Sequence, residues 1–149
     1  MVPSLIMLHL YDKVPPESNG LIREKLKKLD KIALAKFVIA LPSVKLFNVS
    51  MVFWVGSVIL GVFGVGRFMI GDRLIGALKV TLMFFSYILL ALSTALTHFV
   101  GYESFSVILM IVGFVGLLCV VIWWGIDIFL IVSKTRKENL NKILMLFNL

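Results

Sequence analysis

Three stretches of the chain are apolar over a length that suits a membrane crossing. They cover residues 49–66, 76–99 and 105–132. At 1.5 Å per residue the shortest run reaches about 27 Å, close to the roughly 30 Å thickness of a hydrocarbon core. The pattern therefore predicts three transmembrane helices within residues 49–133, and no alternating strand pattern accompanies them.

A different pattern precedes these runs. Between residues 21 and 41, apolar positions recur every three or four residues and basic residues occupy the other faces. This spacing predicts a basic amphipathic helix that Pro42 ends. We expect the helix to lie on an anionic membrane surface, or to dock on a partner protein or a second copy. The cations expected to contact lipid or a partner are Arg23, Lys25, Lys27, Lys28 and Lys31.

The two ends of the chain have patterns of their own. Residues 1–20 contain three prolines and Gly20, which predict an irregular N-terminal arm. Residues 134–149 read as a basic amphipathic tail that rests on the membrane or on a neighbouring protein. The predicted fold class is an all-α integral membrane protein, with three transmembrane helices preceded by a basic amphipathic helix.

Composition supports this fold class. Of the 149 residues, 60% are apolar and 15% are charged, whereas soluble domains average about 25% charged residues. The basic residues behind the net charge of +7 are concentrated outside the apolar runs. Binding to lipid headgroups explains basic residues at these positions, so nucleic-acid binding is not needed to explain the charge. The expected partners are the lipid bilayer, anionic lipid headgroups, and other membrane subunits or copies of the chain, with no nucleic acid.

Charged residues at the ends of the apolar runs form the candidate site. Successive membrane crossings alternate in direction, so the ends of the first and third runs lie on the same membrane face. This arrangement predicts a cationic partner for Asp127, because a cation offsets the cost of a partly desolvated carboxylate. Arg67 is the favoured partner, and Lys79 and Arg73 are the next candidates. The cluster is either a structural clamp or a recognition or ion-handling site. Its predicted members are Arg67, Asp72, Arg73, Lys79 and Asp127.

Glycines and tryptophans flank these charges. The glycines allow tight turns at the membrane surface, and tryptophans are typical anchors at the interface. Small residues at four-residue or three-residue spacing predict close packing within the chain, as for Ala91 with Ala95 and Gly113 with Gly116. The candidate glycines are Gly61, Gly64, Gly71 and Gly76, and the candidate anchors are Trp123 and Trp124.

The order of these motifs resembles the bacterial two-transmembrane family, usually called the TM-two domain family. Two residues depart from its pattern, since Gly66 stands where the family has an aspartate and Met69 where it has a tyrosine. About one additional apolar run is inserted, so the family's two-span topology is not carried over. The resemblance implies a small protein of the bacterial inner membrane and no particular reaction. The matching stretches are GVFGVGRFMIGD at 61–72, GALKVTL at 76–82, IWWGIDIFLI at 122–131 and KTRKENLNKIL at 134–144.

The motifs of common enzymes are missing from the sequence. It shows no phosphate-binding loop, metal-binding cluster or nucleophilic triad, so we expect no catalytic residue, cofactor or metal. The leading hypothesis is a non-enzymatic membrane protein that acts through assembly, as an accessory subunit of a membrane complex or as a homo-oligomer. The alternative is a small oligomeric channel or transporter with a polar site at Arg67 and Asp127. A third hypothesis is lipid binding or signalling at the basic face of Lys25, Lys27 and Lys28.

Overall fold

The described part of the chain consists of helices joined by short turns and connecting segments. The computed structural model describes residues 2–147, with side chains from Ser4 onward, and contains no strand within that range. Residues 1 and 148–149, which belong to the predicted arm and tail, lie outside the described residues. The helices are α1 (Val2–Leu10), α2 (Asn19–Lys28), α3 (Lys31–Ala40), α4 (Val49–Ile59), α5 (Val65–Met69), α6 (Arg73–Leu96) and α7 (Glu103–Leu146).

Two helices of the described chain are long and apolar enough to cross a membrane. They are α6, with 24 residues, and α7, with 44 residues. The first predicted span, over residues 49–66, is not confirmed, because α4 ends at Ile59 and the chain then turns; its last 8 residues, Val52–Ile59, form a π-helix. That run is apolar from end to end, and hydropathy alone does not distinguish a continuous helix from a broken one.

The chain divides into two compact units, and the charge is divided unequally between them. The first unit comprises Met1–Val52 and Ile131–Leu149, and the second comprises Phe53–Leu130. The first unit contains twelve of the fifteen Lys and Arg residues and five of the eight acidic residues, whereas the second contains three of each. The entire net charge of +7 therefore belongs to the first unit.

The apolar side of the predicted amphipathic helix is covered by the chain itself. Ile22 and Leu26 of α2 are buried in one cluster with Leu10 of α1 and Ile143 of α7. This finding corrects the expectation that a membrane surface or a separate partner covers these residues. An apolar stripe on a helix predicts that the stripe is buried, but it does not identify what buries it. In this chain, residues of α1 and α7 cover the apolar stripe of α2.

Three boundaries in the first unit also differ from the sequence prediction. The predicted helix over residues 21–41 is two helices, because Leu29 leaves the helical conformation and Asp30 caps α3 by accepting a hydrogen bond from the Ala33 backbone N–H at 2.7 Å. The predicted irregular arm contains α1, whose inner residues reach the core. The predicted tail is the end of α7 rather than a separate element, and its apolar residues join the same core.

Asn139 fastens α7 to two other segments of the first unit. Its Oδ1 accepts a hydrogen bond from the Phe47 backbone N–H at 2.7 Å. Its Nδ2 donates to the carbonyl oxygens of Lys13 at 2.9 Å and of Phe47 at 3.0 Å. Because Asn139 is fully buried, these bonds replace the water that the amide loses on folding.

In the second unit, α6 and α7 are joined by the turn at residues 97–102 and pack side by side. Next to this turn, Ser93 Oγ donates to the Ser106 carbonyl oxygen at 2.8 Å, and Ser106 Oγ donates to the Ser93 carbonyl oxygen at 2.9 Å. Both serines are buried. The pair satisfies their hydroxyl groups inside the protein and fixes the register of the two helices.

Small residues allow close contact between α6 and α7. A Cβ added at Gly116 would overlap the Ser86 Oγ, and one added at Gly113 would also meet α6. The predicted packing of Gly113 and Gly116 within the chain is therefore present. Ala91 and Ala95 differ, since both are exposed on α6 and do not take part in this packing.

Candidate functional site

Glycines position the segment that carries Arg67. After α4, a short 3-10 turn covers Gly61–Phe63, and Gly64 then adopts a φ of +68°, a conformation that glycine reaches without steric cost. Helix α5 follows and lies directly against α4, because a Cβ added at Gly66 would come within 3.1 Å of the Gly56 backbone. The predicted first span is therefore a tight helical hairpin that ends beside α6.

Each predicted motif glycine has a steric or conformational reason. Gly61 lies under the Trp124 indole, where an added Cβ would be 2.6 Å from Cδ1. Gly64 packs against Gly76, with 3.1 Å between its added Cβ and the Gly76 carbonyl oxygen. Gly71 has a φ of +87° in the turn that enters α6. Gly61 and Gly64 therefore let the hairpin lie close to the two long helices, and Gly71 permits the turn into α6.

Four charged side chains meet beside this hairpin. Arg67 Nε donates to Asp127 Oδ1 at 3.1 Å, and Arg67 Nη2 donates to the same oxygen. Arg67 Nη1 donates to Asp72 Oδ2 at 3.2 Å. Lys79 Nζ donates to Asp127 Oδ2 at 2.8 Å. The cluster contains two cations and two carboxylates, so its net charge is zero.

The cluster is largely closed to solvent. The side chains of Lys79, Asp127 and Arg67 are 0%, 5% and 8% exposed, and that of Asp72 is 19% exposed. Burying a charge without a partner is costly, and these residues avoid that cost by hydrogen bonding to one another. Asp127 is the centre of the network, since each of its carboxylate oxygens accepts from a buried cation.

The structure brings together four of the five predicted charged residues. The pairing of Arg67 with Asp127 was expected from three spans of alternating direction. In the structure, Arg67 instead lies on the hairpin formed by α4 and α5, which packs against α6 and α7 and so brings Arg67 to Asp127. Lys79 is a second partner of Asp127. Arg73 is exposed at the first position of α6 and joins none of the ion pairs seen among the described residues, so its predicted membership is wrong.

Of the two predicted anchors, Trp124 makes a hydrogen bond within the protein. Trp124 Nε1 donates to the Ser57 carbonyl oxygen at 2.7 Å, close to the end of α4, where helix carbonyl groups lack their usual partners. This hydrogen bond holds α4 against α7. Trp123 is half-buried. Trp54, which the sequence analysis did not select, is the more exposed indole.

Gly56 and Gly66 are further structural residues that the sequence analysis did not recognise as a pair. A Cβ added at Gly66 would lie 2.6 Å from the Ser57 Oγ. The contact of Gly66 with Gly56 leaves no space for a larger side chain. The five-residue spacing of Gly56, Gly61 and Gly66 was the available signal.

The predicted basic surface lies on the first unit and is exposed. Its five cations belong to α2 and α3. Lys28 bonds Glu24 at 2.6 Å, and the hydrogen bond and charge of Lys28 hold the pKa of Glu24 below its ordinary value. Lys25 lies 5.6 Å from the centre of the Phe147 ring. Arg23 and Lys27 have no ion pair among the described residues.

Neither a metal centre nor a known relative identifies the site. Among the described residues, no group of three His, Cys, Asp or Glu side chains is placed to hold a metal ion. Comparison of the chain with protein-family models, curated proteins and solved structures gave no match. The function is therefore argued from the geometry of the chain.

Proposed function

We propose that this chain is a small integral membrane protein that acts without catalysis, by assembling with other membrane subunits or with copies of itself. The observation that carries the proposal is the exposure of the two long helices. In their most apolar windows, only 22% of the residues of α6 and 17% of those of α7 are buried. A core helix of a soluble protein is mostly buried, so these helices need a cover other than water.

The exposed residues are large and are spread along both helices. Lipid acyl chains suit such a surface, and a neighbouring subunit can cover part of it through close packing. Both helices also exceed the length that crosses a hydrocarbon core of about 30 Å. The exposed side chains include Phe84, Phe85 and Ile88 on α6, and Phe114, Leu118 and Ile122 on α7.

The position of the charged cluster along the helices supports the same proposal. Counting from the turn at residues 97–102, Lys79 lies about 26 Å back along α6 and Asp127 lies about 36 Å forward along α7. If the turn marks one edge of the hydrocarbon core, the cluster lies near the other edge. Charged residues cost less near the interface than at the centre of the bilayer.

The internal pairing of the cluster favours a structural role over ion conduction. Asp127 has both oxygens bonded to cations of the same chain, so no uncompensated charge is offered to a passing ion. The buried serines of α6 are also satisfied within the protein, since Ser86 donates to the Leu82 carbonyl oxygen at 2.8 Å. We therefore prefer assembly to the channel or transporter hypothesis.

The resemblance to the TM-two domain family is part of this proposal. Its quoted stretches between residues 61 and 131 contain all four cluster residues, which supports a common structural purpose for them. A location in the bacterial inner membrane depends on that resemblance alone. In this proposal the cluster holds the hairpin against the long helices, so that the subunit presents one fixed surface to its neighbours.

The proposal is tested on the full chain in its native membrane and after gentle extraction. The chain should remain in the membrane pellet after an alkaline carbonate wash. Native mass spectrometry from lipid nanodiscs should give a multiple of 16.7 kDa, or the chain with a stoichiometric second subunit. Release by carbonate would overturn the membrane proposal. A 16.7 kDa monomer with no co-purifying protein would overturn assembly.

A flux measurement separates assembly from transport. Liposomes that contain the purified chain should leak ions no faster than empty vesicles. Flux that disappears in Asp127→Asn, and persists in Arg73→Gln, would replace assembly with the channel hypothesis. Arg73 is a suitable control because it lies near the cluster in sequence and does not join it.

A further inference from the structure

A groove in the first unit runs between α1 and α2, apart from the charged cluster. Its volume is about 620 Å³. Arg23 and Lys27 of α2 lie on one side, and Met7, Leu8 and Tyr11 of α1 or its end lie on the other. The groove therefore has a cationic side and an apolar side, which is the chemistry of an amphiphilic ligand with a negative head.

Three features of α2 favour an anion in this groove. Arg23 and Lys27 are four residues apart, so they are neighbours on one face of the helix. The first residues of α2, Asn19 and Gly20, line the same groove, and the N-terminal end of a helix attracts negative charge. The acidic residue on this helix, Glu24, is bound to Lys28 and not to the two groove cations.

The groove has open space where α2 begins. A Cβ added at Gly20 would meet no atom within 4 Å, so the floor of the groove is open there. Open space with the cations Arg23 and Lys27 beside it suits a phosphate headgroup better than a purely apolar ligand.

The rim of the groove on the α1 side is apolar and exposed. Leu8 and Tyr11, which line the groove, are 76% and 64% exposed, and Leu5, about one helical turn before Leu8, is 66% exposed. The opposite side of α1 is buried in the core. Exposed apolar residues beside cations are typical of surfaces that enter the boundary between headgroups and acyl chains. The first unit also carries the whole net charge of +7, which opposes contact between two copies at this face.

We propose that the groove between α1 and α2 binds the headgroup of an anionic phospholipid. The phosphodiester lies against Arg23 and Lys27, and the acyl chains lie along Leu5 and Leu8. This inference rests on the proposed membrane location, and it adds a specific lipid site to it. The site differs from the predicted use of the amphipathic helix, because the buried face of α2 packs on the core and only its cationic side is available.

The test is a binding titration on the full chain in mild detergent. The ligand is dioctanoyl phosphatidylglycerol, with dioctanoyl phosphatidylcholine as the zwitterionic comparison and glycerol 3-phosphate as the free phosphate. We expect tighter binding of phosphatidylglycerol than of either comparison. Arg23→Gln/Lys27→Gln should weaken that binding by about tenfold or more, since each cation near a lipid surface contributes appreciably. The exposed pair Lys31→Gln/Lys36→Gln loses the same charge outside the groove and should change binding less than about twofold.

Several outcomes would overturn this site. Equal losses in the two double variants would mean that only the overall charge attracts lipid. Equal affinity for glycerol 3-phosphate would indicate a phosphate site without a lipid. If Leu5→Ser/Leu8→Ser lowers the mass of an oligomer and leaves lipid binding unchanged, this face is an interface between copies. Failure of the membrane proposal is recognised separately, because the carbonate wash would then release the unmodified chain.

Discussion

Removal of the Asp127 carboxylate tests the charged cluster most directly. In Asp127→Ala, two cations remain with one carboxylate, Asp72, and Lys79 loses the ion pair that the structure shows for it. Because the Lys79 side chain is 0% exposed, its charge is left without compensation. Removing one partner of a buried ion pair costs about 3–5 kcal/mol, and the remaining bond between Arg67 and Asp72 favours the lower end. We expect a loss of about 3 kcal/mol in the free energy of unfolding.

A second substitution should recover part of this loss. Lys79→Met in the Asp127→Ala background removes the uncompensated charge and leaves Arg67 paired with Asp72. Replacing a whole buried ion pair by apolar residues is often nearly neutral, so the double variant should be at least about 1 kcal/mol more stable than Asp127→Ala alone. Arg73→Met is the matched control, and as an exposed residue it should change stability by less than about 0.5 kcal/mol.

These stabilities can be measured by reversible unfolding in mixed micelles with an increasing fraction of dodecyl sulfate. Tryptophan fluorescence reports the transition, because Trp124 packs on Gly61 and bonds the end of α4. The cycle requires Lys79→Met alone as well. If the double variant loses the sum of the two single losses, then Lys79 and Asp127 do not stabilise each other, and the clamp is refuted.

Two further predictions concern packing and hydrogen bonding. Gly61→Ala should lower the free energy of unfolding by about 1–3 kcal/mol, because the added Cβ would collide with the Trp124 indole. The control is Gly125→Ala in α7, where the added Cβ has open space around it. In the same micelle titration this control should be neutral or stabilising. Asn139→Ala should remove the hydrogen-bond partner of the part-buried Phe47 backbone N–H and carbonyl groups and lower stability by about 1–3 kcal/mol. Hydrogen exchange at the Phe47 amide should accelerate in Asn139→Ala and not in Gly61→Ala, and unchanged exchange would contradict the role of Asn139.

The sequence predicts the two long helices and the pairing of charged residues. The apolar composition over residues 76–99 and 105–132 predicts long helices, and α6 and α7 cover most of both ranges. The charges at the ends of the apolar runs predict mutual pairing, since a cation and a carboxylate reduce each other's desolvation cost. Arg67 and Asp127 do meet, although the three alternating spans that led to this expectation are not confirmed.

The hairpin is the feature that hydropathy concealed. Residues 49–66 remain apolar through the point where α4 ends, so the average composition carries no sign of the break. The break depends on close contact between Gly56 and Gly66 and on the positive φ of Gly64. Glycine spacing suggests such contacts, but only the folded chain shows which glycines meet.

The sequence by itself determined which surfaces need a cover and which charges need a partner, because these requirements follow from the chemistry of each side chain. The tertiary structure decided what meets each requirement. It covered the apolar side of α2 with α1 and α7, left α6 and α7 exposed, added Lys79 to Asp127 and excluded Arg73. The reason is that the periodicity of the sequence determines on which face of its own helix a residue lies. Which residues pack against that face depends on contacts between segments that are distant in the chain.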